Sequence, residues 1–231
     1  MATVLITGAN RGLGLEFCRQ YAEDGWSVIA CCRKPEQAFA SIKLAGQYPV
    51  IQVEALDVAD FGQIDTVSRK LSDKSIDVLI NNAGVYGDTQ QNRFGRLDYQ
   101  AWMDTLQVNT QAPVKMAEAF LSHIKAGEKK LIVNISSLMG SIADNDSGGS
   151  ILYRSSKAAL NAAMKSLAID LAHQSVGVLI FHPGWVKTDM GGPNALINAD
   201  ASVSGMRRVI DNFSLDQSGR FVKYDGTPMP W

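Results

Sequence analysis

The chain has 231 residues, 46% of them apolar, with 22 basic side chains against 23 acidic ones and a net charge of -1. That length can bury a core without disulfides or a structural metal. The charge balance gives no electrostatic reason to expect nucleic acid or an anionic membrane as a partner.

Thr3-Val4-Leu5-Ile6-Thr7 is a short β-branched run that predicts a buried strand. Gly8-Ala9-Asn10-Arg11-Gly12-Leu13-Gly14 follows it directly, and then Leu15, Phe17, Cys18, Tyr21 and Ala22 recur at helical spacing up to Asp24-Gly25. Glycines at a strand-to-helix turn let backbone approach a ligand, and the helix start offers unpaired N–H groups to a phosphate. Ser27 to Cys32 reads as the second strand, with Arg33-Lys34 at its end. In a dinucleotide fold an acid near this position bonds the adenosine ribose of NAD, whereas a base accommodates the extra phosphate of NADP. The position holds no acid and two bases, with Arg11 as a third candidate, so NADP(H) is expected in preference to NAD(H). The plain alternative is a solvated charge pair.

A helix is predicted over Pro35 to Ala45, a third strand over Val50 to Leu56 ending at Asp57-Val58, and a helix over Phe61 to Leu71. Ile76 to Ile80 predicts a fourth strand running into Asn81-Asn82-Ala83-Gly84, and Val85 to Leu97 a loop. One long helix is expected from Tyr99 to Ile124, burying Trp102, Leu106, Val114, Ala117 and Leu121 and bent at Pro113. Asn109 falls inside it, either as a surface polar residue or as one that frees a backbone group for a bound water. Lys130 to Ile135 predicts the fifth strand, ending at Ser136-Ser137, and Leu138 to Ile151 a polar loop.

The next helix carries Tyr153 and Lys157, with Leu152, Ala159, Leu160, Ala163, Leu167 and Leu171 as its apolar face. Tyr153 and Lys157 lie one turn apart and share a face. A free phenol titrates near ~10; a neighbouring ammonium lowers that value, and such a tyrosine can exchange a proton with a carbonyl oxygen. Val176 to Phe181 predicts the sixth strand, followed by His182-Pro183-Gly184. Lys187 to Asp200 is expected to be a mobile lid, Ala201 to Phe213 a helix, Arg220 to Tyr224 an edge strand, and Thr227 to Trp231 a non-helical tail.

Strands alternating with helices imply a parallel sheet covered on both faces, and no linker divides residues 1–231. Cys18, Cys31 and Cys32 include no Cys-x-x-Cys pair, so reduced thiols are expected rather than a disulfide framework or a zinc site. His123, His173 and His182 lack ligand spacing, and no metal is expected. No Gly-x-Ser-x-Gly elbow occurs, and the glycine loop lacks the Gly-Lys-Ser/Thr of a P-loop. No apolar run is long enough to span a bilayer and no leader precedes the first strand, so a cytoplasmic protein is expected.

These segments together resemble the short-chain dehydrogenase/reductase family along almost the whole chain. Thr7 to Gly14 is similar to its Thr-Gly-x-x-x-Gly-x-Gly loop, Asn81 to Gly84 to its Asn-Asn-Ala-Gly stretch, and Asn109 to its helix asparagine. Ser137, the Tyr153-x-x-x-Lys157 pair and Pro183 to Thr188 match its later motifs in order. Within the family the likeness is greatest to the sniffer-type carbonyl reductases and the C-factor-like bacterial proteins. The resemblance implies one doubly wound Rossmann domain, a seven-stranded parallel sheet with helices on both faces. It implies an NADP(H)-dependent oxidoreductase acting on a small carbonyl or alcohol, with Asn109, Ser137, Tyr153 and Lys157 as the catalytic set. Tyr153 would donate the proton, Ser137 hold the carbonyl, Lys157 lower the pKa of Tyr153 and bind the nicotinamide ribose, and Asn109 hold a relay water.

For the cofactor, the resemblance implies Gly8, Asn10, Arg11, Gly12, Leu13 and Gly14 around the pyrophosphate and adenosine, with Arg33 at the 2′-phosphate. Asp57 and Val58 would flank the adenine, Asn81, Ala83 and Gly84 the adenosine ribose, and Pro183, Gly184, Val186 and Thr188 the nicotinamide. A homodimer or homotetramer is implied as well. The alternatives are a cofactor-binding sensor or signalling protein and a 3-oxoacyl thioester reductase. Two departures from the family bear on the substrate. The stretch from Ser137 to Tyr153 is lengthened by Asp144 to Gly149, and Lys187 to Phe213 is short, which implies a small or open cleft.

Overall fold

A computed structural model describes residues 1–231. Seven strands, β1 (Thr3–Thr7), β2 (Ser27–Cys32), β3 (Ile51–Ala55), β4 (Val78–Asn81), β5 (Leu131–Ile135), β6 (Gly177–His182) and β7 (Arg220–Lys223), form one sheet in the order β3-β2-β1-β4-β5-β6-β7. Every pairing is parallel. The connecting helices are α1 (Gly12–Glu23), α2 (Phe39–Gln47), α3 (Phe61–Lys70), α4 (Tyr99–Leu106), α5 (Ala112–Ala126), α6 (Ile151–Asp170) and α7 (Ala199–Asp211).

The central strands are predominantly apolar because both faces are covered, with Asn81 and Asn134 as buried polar exceptions. Alternate residues then serve opposite cores. Leu5, Leu79, Ile132 and Ile180 pack with Met116, Phe120, Leu160 and Met164 on the α3–α5–α6 side. Val4, Ile6, Val78, Ile80 and Val133 pack with Phe17, Tyr21, Met206 and Ile210 on the α1–α7 side. The chain builds outward from β1 to β3, then crosses to β4 and builds the other way. That reversal opens a crevice at the carboxyl edge between β1 and β4, the place where parallel sheets bind ligands.

Three elements differ from expectation. The segment from Pro35 splits into a 3-10 turn, Pro35–Gln37, and α2. The helix expected from Tyr99 to Ile124 is interrupted by a π-helical turn at Gln107–Gln111, in which the Ala112 N–H donates to the Gln107 carbonyl. Its cause is Pro113, which has no N–H for the Asn109 carbonyl one α-turn back. The buried side of α5 is Ala112, Pro113, Met116, Ala117, Phe120, His123 and Ile124, while Trp102, Leu106, Val114 and Leu121 are only half-buried. On α6 the buried stripe is Leu152, Tyr153, Ser156, Lys157, Leu160, Asn161, Met164 and Ala168, and Ala159, Ala163 and Leu167 are half-buried.

After β6 the chain doubles back: Lys187 N–H donates to the Ile197 carbonyl (2.9 Å) and Ile197 N–H to the Trp185 carbonyl (3.1 Å). The tail folds along β7, with Met229 N–H donating to the Phe221 carbonyl (2.9 Å) and Lys223 N–H to the Thr227 carbonyl (2.8 Å). No helix is long and apolar enough to cross a membrane.

Candidate active site

The crevice is framed by two loops that lock together. Thr7, at the end of β1, accepts on its hydroxyl from the N–H groups of Asn82 (3.0 Å) and Ala83 (3.1 Å). The Asn82 amide donates back to the carbonyls of Thr7 (2.9 Å) and Gly8 (3.1 Å). No side chain larger than hydrogen fits at two positions here. A Cβ on Gly14 would stand 2.2 Å from the Gly8 carbonyl oxygen, and one on Gly8, where φ is +65°, would stand 2.9 Å from the Ala83 Cα. Beyond this turn α1 opens with no side-chain cap and no acid in its first turn, so its leading N–H groups and positive dipole end suit an anion.

Other expected cofactor residues are distributed around the same edge. Asn10 and Arg11 are exposed on the glycine loop and Arg33 is exposed just beyond β2. Arg11 is paired with Asp189 at 2.7 Å, tying the glycine loop to the segment after β6. Thr188 approaches Gly12, since a Cβ there would lie 3.2 Å from the Thr188 methyl. Asp57 accepts the Ala59 N–H (3.0 Å) at the start of the turn that buries Val58. Pro183 accepts from the Ser202 hydroxyl (2.6 Å), and Val186 bridges to Ile197. Asn81 does not face this surface with its side chain. It is 4% exposed, donates to the Asn134 side chain (2.9 Å) across β4 and β5, and keeps a carbonyl oxygen without a partner. Asn82 is the neighbour that reaches the glycine loop. The glycine cradle, the uncapped α1 and the bases beyond β2 fit a phosphorylated dinucleotide.

Tyr153 and Lys157 rise from α6 into this crevice and are 7% and 4% exposed. Lys157 Nζ donates to the Ile135 carbonyl (2.8 Å) and lies 5.8 Å from the Tyr153 ring centre. The Ser137 hydroxyl adjoins the Tyr153 phenol, close enough to oppose the rise of its pKa, and accepts the Met139 N–H (3.1 Å) at the start of a 3-10 turn. Ser136 instead points into the core and donates to Asn161 (2.6 Å), so the second serine is the one in the crevice. His182 accepts the Leu138 N–H on Nδ1 (3.1 Å) and so pins the Ser137 turn. Burial, and then Lys223, push this imidazole down to about 4, so it stays neutral and able to accept.

Asn109 is fully buried, not a surface residue. Its side chain accepts the Val85 N–H (2.9 Å) and donates to the Val85 carbonyl (2.8 Å) and the Ser156 hydroxyl (2.9 Å). A Cβ on Gly84 would lie 3.2 Å from this amide oxygen and 3.6 Å from Lys157 Nζ, so Gly84, Asn109 and Lys157 adjoin.

The expected lowering of the Tyr153 pKa by Lys157 is not what the geometry gives. Burial pushes the phenol up to about 12, with only the neighbouring Ser137 hydroxyl pulling the other way. The same burial pushes Lys157 down to about 8. Both groups lose solvent, which favours their neutral forms, and the ammonium is directed to the Ile135 carbonyl.

Sequence reasoning passed over Asn82, His182, Tyr86 and Asp88 as site residues. Asn82 and His182 sit within motifs and were open to detection. Tyr86 and Asp88 lie in an aperiodic loop that only the fold brings to α6. A separate polar cavity of about 350 Å³, lined by Arg208, Asn212, Arg220 and Asp225 among others, opens beside α7 and β7, away from these residues.

A family model described as short chain dehydrogenase matches residues 2–197. The chain is 44% identical over 156 residues to the C-signal of Myxococcus xanthus, a match that spans 68% of this chain and 93% of that protein. Carbonyl reductase Sniffer of D. melanogaster is 37% identical, with a TM-score of 0.92 and 100% of both chains covered. An NADPH-bound carbonyl reductase from chicken fatty liver is 33% identical, with a TM-score of 0.90, covering 100% of this chain and 99% of the other.

Proposed function

The chain belongs to the short-chain dehydrogenase family, and on that premise we propose that it is an NADPH-dependent carbonyl reductase in which Tyr153 protonates a small ketone or aldehyde. The observation that carries this reading is the grouping of buried Tyr153 and Lys157, 5.8 Å from ring centre to Nζ, with Ser137 and Asn109 beside the glycine-loop crevice. The nicotinamide, when bound, supplies the hydride.

The protein's own part is to hold the carbonyl and deliver a proton. The Ser137 hydroxyl donates to the carbonyl oxygen and stabilises the charge that develops there. Tyr153 gives its proton to the same oxygen. A phenol pushed up to about 12 is protonated at neutral pH, the form that reduction requires, although burial also makes it a weaker acid than a free phenol. Lys157 would bond the nicotinamide ribose when the cofactor is bound and, with a water at the Asn109 carbonyl, would return a proton to Tyr153. Gly8, Gly12, Leu13 and Gly14 would hold the pyrophosphate and Arg33 and Arg11 the 2′-phosphate, which would favour NADPH. Homodimers or homotetramers would cover the half-buried outer sides of α4, α5 and α6, and the cytoplasm is the expected compartment.

NADPH consumption against small ketones, aldehydes and diketones, with one acyl thioester, tests the reading. Turnover of the ketones but not the thioester supports it. Tight NADPH binding with no turnover sinks it and favours the second reading, a cofactor-dependent signalling protein, to which the likeness to a C-signal points.

A further inference from the structure

Helix α6 carries the proton donor, yet it does not cap itself. Ser150, at its N-cap position, is in the left-handed region (φ 45°, ψ 48°) and its side chain makes no cap hydrogen bond. The Ser150 hydroxyl is engaged elsewhere, with the Tyr86 hydroxyl at 2.7 Å. A helix start leaves N–H groups without intrahelical partners, and a capping side chain ordinarily accepts from the second or third of them. In α6 these are the N–H groups of Leu152 and Tyr153. Both are taken by one carboxylate from a distant loop: Leu152 donates to Asp88 Oδ1 (3.2 Å) and Tyr153 to Asp88 Oδ2 (2.8 Å).

We propose that Asp88 is a positioning residue for the reaction, a long-range cap that sets where Tyr153 stands relative to Ser137. The inference rests on the reading of Tyr153 as proton donor.

The carboxylate can do this because its loop is braced at both ends. Val85 is bonded through its N–H and its carbonyl to Asn109. Asn92, 8% exposed, donates to the Gly87 carbonyl (2.9 Å) and accepts the Thr89 N–H. Gly87 (φ +77°) leaves no room for a side chain, since a Cβ there would stand 2.1 Å from the Thr105 hydroxyl. Tyr86 lays its ring against that of Tyr153, 4.8 Å between centres. Ser137 hangs on a different support, the β5 end and His182. The two hydroxyls that must meet one carbonyl oxygen are thus carried by separate elements, and Asp88 fixes the register of one to the other. A misplacement of the reacting groups by a fraction of an ångström lowers the rate more than binding.

The test compares Asp88→Ala and Asp88→Asn with the full-length wild type. It reads kcat and KM for an activated ketone, the NADPH dissociation constant, and amide hydrogen exchange at residues 151–154 and across α1. Asp88→Ala is expected to lower kcat about tenfold or more, to leave NADPH affinity within about twofold, and to speed exchange at Leu152 and Tyr153 with α1 unchanged. Asp88→Asn keeps one acceptor oxygen and should recover most of kcat. An Asp88→Ala kcat within about twofold of wild type, NADPH affinity lost in parallel with kcat, or unchanged exchange at both amides overturns the proposal. Should Asp88→Ala not fold, the near-isosteric Asp88→Asn is judged by the same exchange criterion. Absence of turnover by the wild type would fell the carbonyl-reductase reading instead, and the exchange rates would still decide whether Asp88 caps α6.

Discussion

Pro113 stands one α-helical turn beyond Asn109 and has no N–H to give the Asn109 carbonyl, so the helix widens into a π turn there. Breaks of this kind have a local cause, and here the cause is a single ring. The same turn aims the Asn109 side chain at Val85. Pro113→Ala would let an ordinary helix form and draw Asn109 out of this arrangement. The expected result is a fall in kcat of about tenfold at unchanged NADPH affinity, measured by steady-state kinetics beside a fluorescence titration of NADPH. A variant with wild-type kcat would separate the π turn from the chemistry.

Under the proposed mechanism, Tyr153→Phe removes the donated proton and little else, because the ring stays packed against Tyr86. Turnover should drop by about two to four orders of magnitude, while NADPH still binds. Near-normal turnover would rule Tyr153 out as the donor.

Burial of Lys157 carries a stability cost. Its folded pKa is lowered from 10.5 to about 8, so between these values the unfolded chain binds the proton that the folded one has lost. Stability therefore rises with pH through that window, and below pH 8 the burial of the charge opposes folding by up to about 3 kcal/mol. Lys157→Met should raise Tm at pH 7 by a few degrees while abolishing turnover, with the advantage shrinking from pH 8 to 10.5. Thermal unfolding of both proteins across that range checks the sign. A Tm gain that grows with pH would reverse it.

Arg33 is exposed beyond the end of β2, and Lys34 beside it is exposed too. Arg33→Asp would repel a 2′-phosphate and accept the ribose hydroxyls of NADH. The ratio of kcat/KM for NADPH over NADH should fall by about tenfold or more. A ratio left unchanged would transfer the 2′-phosphate to Arg11 or Lys34.

How much of this could be read in the sequence depends on how local each feature is. The strands and the glycine loop were legible because their signals are short-range: a β-branched run, a turn that admits only glycine, a helix start. The choice of Ser137 over Ser136 followed from a motif, and the core bond from Ser136 to Asn161 gives its physical basis. The buried face of α6 was misread because Tyr153, Ser156, Lys157 and Asn161 take the inward stripe that apolar residues would ordinarily mark. Asn109 reads in the sequence as readily as a surface residue, and only the fold shows it buried against Val85 and Ser156. Asp88 was out of reach, since a carboxylate 65 residues from Tyr153 leaves no periodic trace. The expected influence of Lys157 on Tyr153 failed for a related reason: spacing gives proximity, and only the fold gives the dehydration that outweighs it.

The tail laid along β7 has a further effect. A sheet edge with free N–H and carbonyl groups is a template for strands of other molecules. Here the Phe221 carbonyl and the Lys223 N–H are occupied by Met229 and Thr227, and the bridge opposite Val222 is made by Pro228, which has no N–H to offer a newcomer. The segment thus guards the molecule against fibril-like association, and a shelf-life limited by aggregation is the cost expected of any variant that loses residues 227–231.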